Sequence, residues 1–256
     1  MEQRLKKVLS QLSIGPNEWA GIRFYRESGQ TLEVRDAHPE NNRSSETAGV
    51  MIEWLVDGQF GYAATADCRE ESLLRTAAQA RQQAQDASRR ALHRFSSALR
   101  PPSVGKYQSK VRSALSELKD AEKFELLFLL SRRMRTSDAV LTATAFLQHI
   151  NVESCYVSSN GAHFEQDLSL VTVALEAVGQ KNGVVQRRSN HGLSAYSYQG
   201  GAEFLMQNVL AAQADKVATQ LHELLDAQEC PSETTHLVLS PDQMMLQIHE
   251  SIGHPL

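Results

Sequence analysis

Residues 49–65, Gly-Val-Met-Ile-Glu-Trp-Leu-Val-Asp-Gly-Gln-Phe-Gly-Tyr-Ala-Ala-Thr, contain the strongest fold signal in this chain. Two runs of mainly apolar residues, Gly49–Val56 and Gln59–Ala64, flank the dipeptide Asp57-Gly58. Asp-Gly is favoured in a two-residue type I′ turn, because both central residues of that turn need positive φ. This stretch therefore predicts a tight antiparallel β-hairpin.

The sequence on either side extends this hairpin into a four-strand meander between two helices. Apolar residues at helical spacing predict a short helix over Glu2–Leu12. Strand-like runs at Ala20–Arg26 and Thr31–Asp36 flank a glycine-containing segment, Glu27–Gln30, which we expect to form a turn. A long helix rich in Ala, Gln and Arg is predicted from about Glu70 to Ala98, before two prolines.

The second half of the chain repeats this order of elements. A helix is predicted over Lys119–Arg135 and another over Ala202–Gln228. The dipeptides Asn160-Gly161 and Asn182-Gly183 predict two further two-residue turns within one antiparallel sheet. The strands predicted between the two helices are Ala139–His149, Glu153–Ser158, His163–Ala177 and Val184–Ser197.

These elements predict an α+β fold of mostly antiparallel sheets with long flanking helices. Hairpin turns, rather than crossover helices, join the neighbouring strands. The repeated order of helix, meander and helix suggests an internal duplication. We expect one such unit over residues 1–100, a linker over 101–118, and a second α+β unit over 119–256.

Composition and charge exclude several classes of protein. With 41% hydrophobic and 22% charged residues, the chain is globular rather than disordered. Lys and Arg total 26 against 30 Asp and Glu, and this net charge of -4 argues against nucleic acid as a partner. No apolar run approaches the ~20 residues that cross a bilayer, and the N-terminus lacks the apolar core of a secretory signal. Cys68, Cys155 and Cys230 form no Cys-x-x-Cys pair, so we expect free thiols in the cytoplasm.

One stretch departs from this balance, because residues 89–112 contain seven Lys or Arg and no acidic residue. We favour a solvated helix end and linker here, since cations suit the last turn of a helix and the stretch shows no aromatic platform for stacking on bases. A contact surface for an acidic peptide or nucleic acid is the alternative interpretation.

The last twenty residues contain the pattern that indicates chemistry. His236–Leu239 predicts a short buried strand, and Ser240 with Pro241 predicts a helix start, with Gln243 completing a capping box. The helix continues into His249-Glu250-Ser251-Ile252-Gly253-His254. Two histidines with a glutamate beside the first are typical of zinc hydrolases, in which imidazoles bind the metal and the carboxylate takes a proton from water.

The spacing of this motif is one residue longer than that of the common zinc motif. On a regular α-helix, residues four apart differ by roughly 40° in azimuth, whereas residues five apart differ by about 140°. His249 and His254 therefore need either a widened, π-type turn or a helix that ends near Gly253 and turns His254 back. Local sequence favours the second option, because Gly253 tolerates positive φ and Pro255 disfavours the α region at His254.

The motif and its context resemble the TldD/PmbA metallopeptidase family, whose members are also described as modulators of DNA gyrase. The resemblance covers essentially all 256 residues, in order and spacing. The segments that carry it are Gly49-Val50 with Val56–Thr65, Ser159–Gly161 with Glu165–Asp167, Leu224–Ala227 with Cys230-Pro231, Leu237–Pro241, and His249–Leu256.

The resemblance implies a zinc-dependent peptidase of the cytoplasm that cleaves peptides or unfolded protein segments, built as a homodimer or as a heterodimer with a paralogue. His249 and His254 match the family's metal ligands, and Glu250 matches its general base. Members add a β-rich half after this motif, and a cysteine from that half is a further ligand. None of the three cysteines here matches its position, so we expect this chain to be the N-terminal part of such a protein.

Two other interpretations stay open at this point: a non-catalytic regulatory or binding subunit, and an inactive fragment. A catalytic zinc site generally needs three protein ligands, whereas this motif supplies two histidines. We therefore expect the motif by itself to bind zinc poorly and the 256-residue chain to show little peptidase activity.

Overall fold

A computed structural model describes residues 1–191 and 196–255 of the chain. Within that part, five helices accompany eight strands of one sheet. The helices are α1 (Glu2–Gln11), α2 (Glu70–Ser88), α3 (Asp120–Met134), α4 (Gln207–Leu225) and α5 (Pro241–Ile248). The strands are β1 (Glu18–Arg35), β2 (His38–Val56), β3 (Gln59–Thr65), β4 (Val104–Gln108), β5 (Val140–Ser158), β6 (His163–Lys181), β7 (Val184–Ser189) and β8 (Tyr196–Gln199).

The sheet confirms the predicted α+β class with mostly antiparallel pairing. Its strand order is β3-β2-β1-β5-β6-β4, and β7 and β8 also pair with β6. The order helix, antiparallel strands, helix occurs twice along the chain. β4 is the exception in direction, since it pairs with β6 in parallel, and it lies within the stretch 101–118 that we expected to be a linker.

The hairpin predicted over residues 49–65 is confirmed. β2 and β3 pair antiparallel from Val50 opposite Thr65 to Val56 opposite Gln59. The turn residues Asp57 and Gly58 have φ of 46° and 82°, the left-handed values that a type I′ turn requires. Asn182 and Gly183, with φ of 51° and 82°, form the same turn between β6 and β7. Around Asn160, in contrast, the connection is longer than predicted, because residues 159–162 form it and only Gly161 has positive φ.

The turn predicted at Glu27–Gln30 is wrong, because these residues lie inside the continuous strand β1. The chain turns instead at Asp36 and Ala37, whose φ values are 51° and 58°. Ala143 holds this turn: its amide donates to Asp36 Oδ1 at 2.9 Å, and its carbonyl accepts from the Asp36 amide at 3.0 Å. A contact distant in sequence therefore decides the turn. The break predicted after His149 is likewise absent, and β5 is continuous.

The predicted helix to Ala98 ends ten residues early, at Ser88. The chain then returns to the β2–β3 turn, where the Phe95 amide donates to the Gly58 carbonyl at 2.8 Å. Arg94 donates to the Asp57 carbonyl at 3.0 Å, and the Phe95 ring lies 6.0 Å from the Phe60 ring. These hydrogen bonds and the ring contact compensate for the helical hydrogen bonds that a longer α2 would have formed. α4 is also shorter than predicted, and the predicted strand Val184–Ser197 is partly formed by β7, with residues 192–195 outside the described residues.

The chain divides into two compact units that are discontinuous in sequence. Unit 1 comprises residues 1–29, 45–109 and 150–169, and unit 2 comprises residues 30–44, 110–149 and 170–256. Each unit has its own hydrophobic core, in which two helices cover the apolar face of strands. In unit 1 these helices are α1 and α2; in unit 2 they are α3 and α4.

Candidate metal centre

The segment that leads to the zinc-like motif differs from its prediction. His236–Leu239 forms no strand, and Leu237 and Val238 are 81% and 92% exposed. An isolated strand has no partner for its backbone N–H and C=O groups, and no described strand lies beside this segment. The buried strand predicted here is therefore wrong.

Helix α5 starts where the sequence predicts, with Ser240 at the N-cap and Pro241 in the first turn. The Ser240 carbonyl accepts from the amides of Gln243 and Met244 at 3.1 and 2.9 Å. The Ser240 hydroxyl donates to the Asp242 carboxylate instead of capping a backbone amide, so the predicted capping box is not formed. This hydrogen bond lowers the pKa of Asp242, an acidic residue in the positive first turn of the helix.

The motif itself adopts the first of the two backbone options. Residues His249–Gly253 form a π-helical turn, in which the His254 amide donates to the His249 carbonyl at 3.1 Å. The option favoured from sequence, a helix that ends at Gly253, is wrong. Gly253 does not take positive φ, and His254 keeps helical φ and ψ of -76° and -31° although Pro255 follows it. Because a π turn contains one extra residue, residues five apart lie on the same face of it, as residues four apart do in an α-helix.

The π turn brings the three side chains of the motif together. One ligand atom each of His249, Glu250 and His254 lies within 4.8 Å of the other two. The imidazole rings of His249 and His254 are 4.7 Å apart and inclined by 80°, and His254 Nε2 lies 3.9 Å from Glu250 Oε2. All three residues are exposed.

This donor set fits a metal ion. Imidazole nitrogens and a carboxylate oxygen are ligands that Zn²⁺ accepts, and both rings can approach one ion from the same side of the helix. If the two imidazoles bind, Glu250 stays free to accept a proton. The motif then contributes two of the three protein ligands that a catalytic site requires.

The basic stretch of residues 89–112 is partly neutralised by other groups. Arg100 donates to Glu53 at 3.1 Å, Lys106 lies 3.0 Å from Glu165, and Arg94 donates to a backbone carbonyl. These contacts support the interpretation as a structural segment over that of a free contact surface.

A second group of donor side chains was not singled out from sequence. Cys155 on β5 lies close to His163 and Glu165 on β6, with one ligand atom of each within 4.8 Å of the others. The available signal was the alternation His163-x-Glu165, which places both side chains on one face of a strand. Only the pairing of β5 with β6 adds the cysteine.

Comparison with known proteins establishes the family. Residues 20–84 match the model of PmbA/TldA metallopeptidase domain 1, and residues 114–225 match that of the PmbA/TldA metallopeptidase central domain. The chain belongs to the TldD/PmbA family. A protein named metalloprotease from Methanothermobacter thermautotrophicus is 25% identical over 237 residues, which are 93% of this chain and 50% of that protein.

Solved structures agree with this TldD/PmbA assignment at the level of the fold. A protein from Thermotoga maritima, described as a candidate modulator of a DNA gyrase, aligns with a TM-score of 0.64 at 15% identity. The alignment covers 90% of this chain and 49% of the Thermotoga chain. TldE from Thermococcus kodakarensis aligns with a TM-score of 0.58 at 17% identity, and the alignment covers 86% of this chain and 46% of TldE. The chain thus spans about half the length of these relatives.

Membership of the TldD/PmbA family supports a peptidase, and a metal ion as its cofactor, at the level of the family. The alternative of a non-catalytic binding subunit is not favoured by these matches. Among the described helices, none is both long and apolar enough to cross a membrane.

Proposed function

We propose that this chain contributes the zinc-binding helix of a TldD/PmbA peptidase, with His249 and His254 as metal ligands and Glu250 as general base. The observation that carries the proposal is the π turn at His249–Gly253, which brings the side chains of two histidines five residues apart close to one point. Single π turns are rare in α-helices and occur frequently at functional sites.

In this proposal each side chain has a separate task. When bound, the metal ion acts as a Lewis acid on the scissile carbonyl and lowers the pKa of water to about 7. The two imidazoles act as neutral ligands, each through one ring nitrogen. Glu250 accepts the proton of the attacking water on a carboxylate oxygen and later donates it to the departing amine.

A third protein ligand completes the proposed site. The family resemblance implies that it is a cysteine thiolate contributed from outside the 256 residues. Thiolate is a soft ligand that Zn²⁺ binds well. With one thiolate and two neutral imidazoles, a bound Zn²⁺ would keep a net positive charge, which attracts a carbonyl oxygen.

The substrate class that we propose is peptides or unfolded protein segments, and the assembly a homodimer or a heterodimer with a paralogue. The exposed segment that contains the two histidines also carries large apolar residues, which suits contact with an apolar chain or a partner subunit. They are Leu237, Val238, Leu239, Met244, Met245, Leu246, Ile248 and Ile252. We also place the protein in the cytoplasm, in keeping with its three unpaired cysteines.

Metal binding is tested by following the imidazole resonances of the 256-residue chain by NMR during titration with Zn²⁺. The resonances of His249 and His254 are expected to shift together. His254→Ala should abolish the shift of His249, and His236→Ala, a matched control from the same exposed segment, should leave both shifts unchanged. Independent behaviour of the two rings would overturn their assignment as ligands of one ion.

Catalysis is tested with the longest form of the protein that the gene encodes and a fluorescent unstructured peptide. Glu250→Gln keeps the size of the side chain and removes the base, so kcat should fall at least ~100-fold while bound zinc is retained. Glu229→Gln, an exposed control outside the helix, should leave kcat unchanged. Zinc binding without hydrolysis in the parent protein would contradict the peptidase proposal and leave only a metal-binding role.

A further inference from the structure

A second cluster of metal-ligand side chains lies within unit 1, on strands β5 and β6. The Cys155 thiol, the His163 imidazole and the Glu165 carboxylate each place one ligand atom within 4.8 Å of the other two. His163 and Glu165 point to the same side of β6 because they are two residues apart, and Cys155 comes from the neighbouring strand. Two paired strands are a rigid support for such a group.

The cluster borders a cavity of about 420 Å³, and four of the nine residues that line it are acidic. Glu2 on the first turn of α1, Glu153 and Asp167 line it together with Cys155 and Glu165. Lys106 also lines it, and its ammonium lies 3.0 Å from Glu165. A cavity with this excess of carboxylates attracts cations rather than anions.

The imidazole of His163 is incompletely partnered in this environment. Its Nε2 atom is buried and makes no hydrogen bond to any described residue. Glu2 Oε1 lies 3.2 Å from it, which is an ion-pair distance for a protonated ring but not an oriented hydrogen bond. Buried ring nitrogens in folded proteins are normally hydrogen-bonded or bound to a metal, because an unpaired polar atom costs free energy.

The cysteine in the cluster is unsuited to act as a free nucleophile. Burial raises the pKa of the Cys155 thiol to about 11, and the negative charges of Glu165 and Glu2 add to this effect. A reactive cysteine has a lowered pKa, so neither thiol catalysis nor redox sensing accounts for the arrangement. A divalent cation, in contrast, displaces the thiol proton and is stabilised by the same carboxylates that disfavour a free thiolate.

We propose that Cys155, His163 and Glu165 form a binding site for a divalent cation of the zinc class, in addition to the His249–His254 motif. One sulfur, one nitrogen and one oxygen are the donor types that such ions take together, whereas Mg²⁺ and Ca²⁺ prefer oxygen alone. Binding forms a metal–sulfur bond and releases the thiol proton to solvent. Thiolate and carboxylate together balance the charge of the ion.

Modest side-chain movement closes this site. Ligand atoms around one tetrahedral zinc lie roughly 3.5 Å apart, given metal–ligand bonds of about 2.0–2.3 Å. Separations of up to 4.8 Å therefore shorten by about 1 Å through side-chain rotation. In the proposed site Glu165 exchanges its ion pair with Lys106 for the metal.

The probe is Co²⁺, added to the metal-free 256-residue chain under reducing conditions. Cobalt bound to a thiolate shows a sulfur-to-cobalt charge-transfer band in the near ultraviolet, and the His249-Glu250-His254 motif contains no sulfur. We expect this band at one Co²⁺ per chain, with loss of the band on competition by Zn²⁺. The test is therefore independent of the peptidase proposal.

Variants assign the band to its residues. Cys155→Ser and His163→Gln should each remove it, and Glu165→Gln should weaken Co²⁺ binding at least ~10-fold. Cys68→Ser and Cys230→Ser, which change the other two thiols, should leave the band unchanged. Because Cys155 is part of the unit 1 core, His163→Gln, on a half-buried residue, decides the outcome if Cys155→Ser does not fold. Absence of the band from the parent chain, or its persistence in His163→Gln, would overturn the site.

Discussion

Gly61 lies where strand β3 comes closest to helix α2. A Cβ atom at this position would stand 2.1 Å from the Ala80 carbonyl oxygen and 2.5 Å from the Ala84 amide nitrogen. Both are backbone atoms of the helix, so a side chain at residue 61 cannot be accommodated by rotation of another side chain. Glycine here allows the α2 backbone to pack directly on the sheet.

We predict that Gly61→Ala lowers the free energy of unfolding by about 3 kcal/mol, because the helix must move away from the strand. Gly105→Ala is the control, since no atom lies within 4 Å of the added Cβ. Its effect should stay within about 0.5 kcal/mol. Urea unfolding measures both. Equal stability of the two variants would show that α2 adapts to the extra methyl group.

Glu53 is a buried carboxylate that two side chains satisfy. It is 5% exposed, accepts from the Tyr156 hydroxyl at 2.9 Å and accepts from Arg100 Nε at 3.1 Å. The Arg100 guanidinium also lies over the Phe60 ring, 4.9 Å from its centre. A buried charge that loses a partner costs more than the pair contributes, because its desolvation is no longer offset.

We therefore expect Arg100→Met to lower the free energy of unfolding by about 2 kcal/mol and Tyr156→Phe by about 1 kcal/mol. Arg112→Met, an exposed residue of the same basic stretch, should change it by less than about 0.5 kcal/mol. Adding Glu53→Gln to Arg100→Met should restore part of the loss, since the unpaired charge disappears. No recovery in the double variant would contradict a charge-based role for Arg100.

At the scale of elements, the π turn is the feature that positions the candidate metal ligands. It is an α-helix with one residue inserted, closed by the hydrogen bond from the His254 amide to the His249 carbonyl. This geometry depends on how many residues separate the two histidines, and not on which residues those are.

Changing that number by one tests the role of the turn. Deleting Ile252 gives a four-residue spacing that an ordinary α-helix brings to one face, so the Zn²⁺ affinity of the histidine pair should stay within about threefold. Inserting one Ala after Ser251 gives a six-residue spacing and should weaken the affinity at least ~10-fold. The imidazole resonances of His249 and His254 report both affinities. Equal affinities after deletion and insertion would mean that the turn does not position the ligands.

At the scale of the whole molecule, the two cores include no described residue after Leu225. The residues that follow are largely exposed, including α5 and the π turn. The stability of units 1 and 2 and the chemistry of the C-terminal motif therefore depend on separate parts of the chain.

We predict that a chain ending at Gln228 keeps the melting temperature of the parent within about 2 °C, because none of the described residues that it removes is buried. The same change removes the zinc-dependent shift of the histidine resonances. It should also reduce self-association, since eight exposed large apolar residues leave with the segment. Differential scanning calorimetry and light scattering measure these quantities, and a fall of 10 °C would show that the segment packs on the cores.

Local signals in the sequence determined much of the fold. Asp57-Gly58 and Asn182-Gly183 formed the predicted turns because only a few residue types tolerate two successive positive φ values. Hydrophobic periodicity located α1 and α3 for a similar reason, since burial of one face requires it. The pattern of His249, Glu250 and His254 was singled out through its context, the resemblance to the TldD/PmbA family, and its role as a metal site stays a prediction.

Tertiary structure alone decided the features that depend on distant contacts. Ala143 placed the β1–β2 turn at Asp36, and the return of Phe95 to Gly58 ended α2 early. The approach of Cys155 to His163 and Glu165 follows from strand pairing between residues whose spacing in sequence has no chemical signature. Sequence patterns record short-range conformational energies, whereas these features come from packing and hydrogen bonds between segments that meet only in the folded chain.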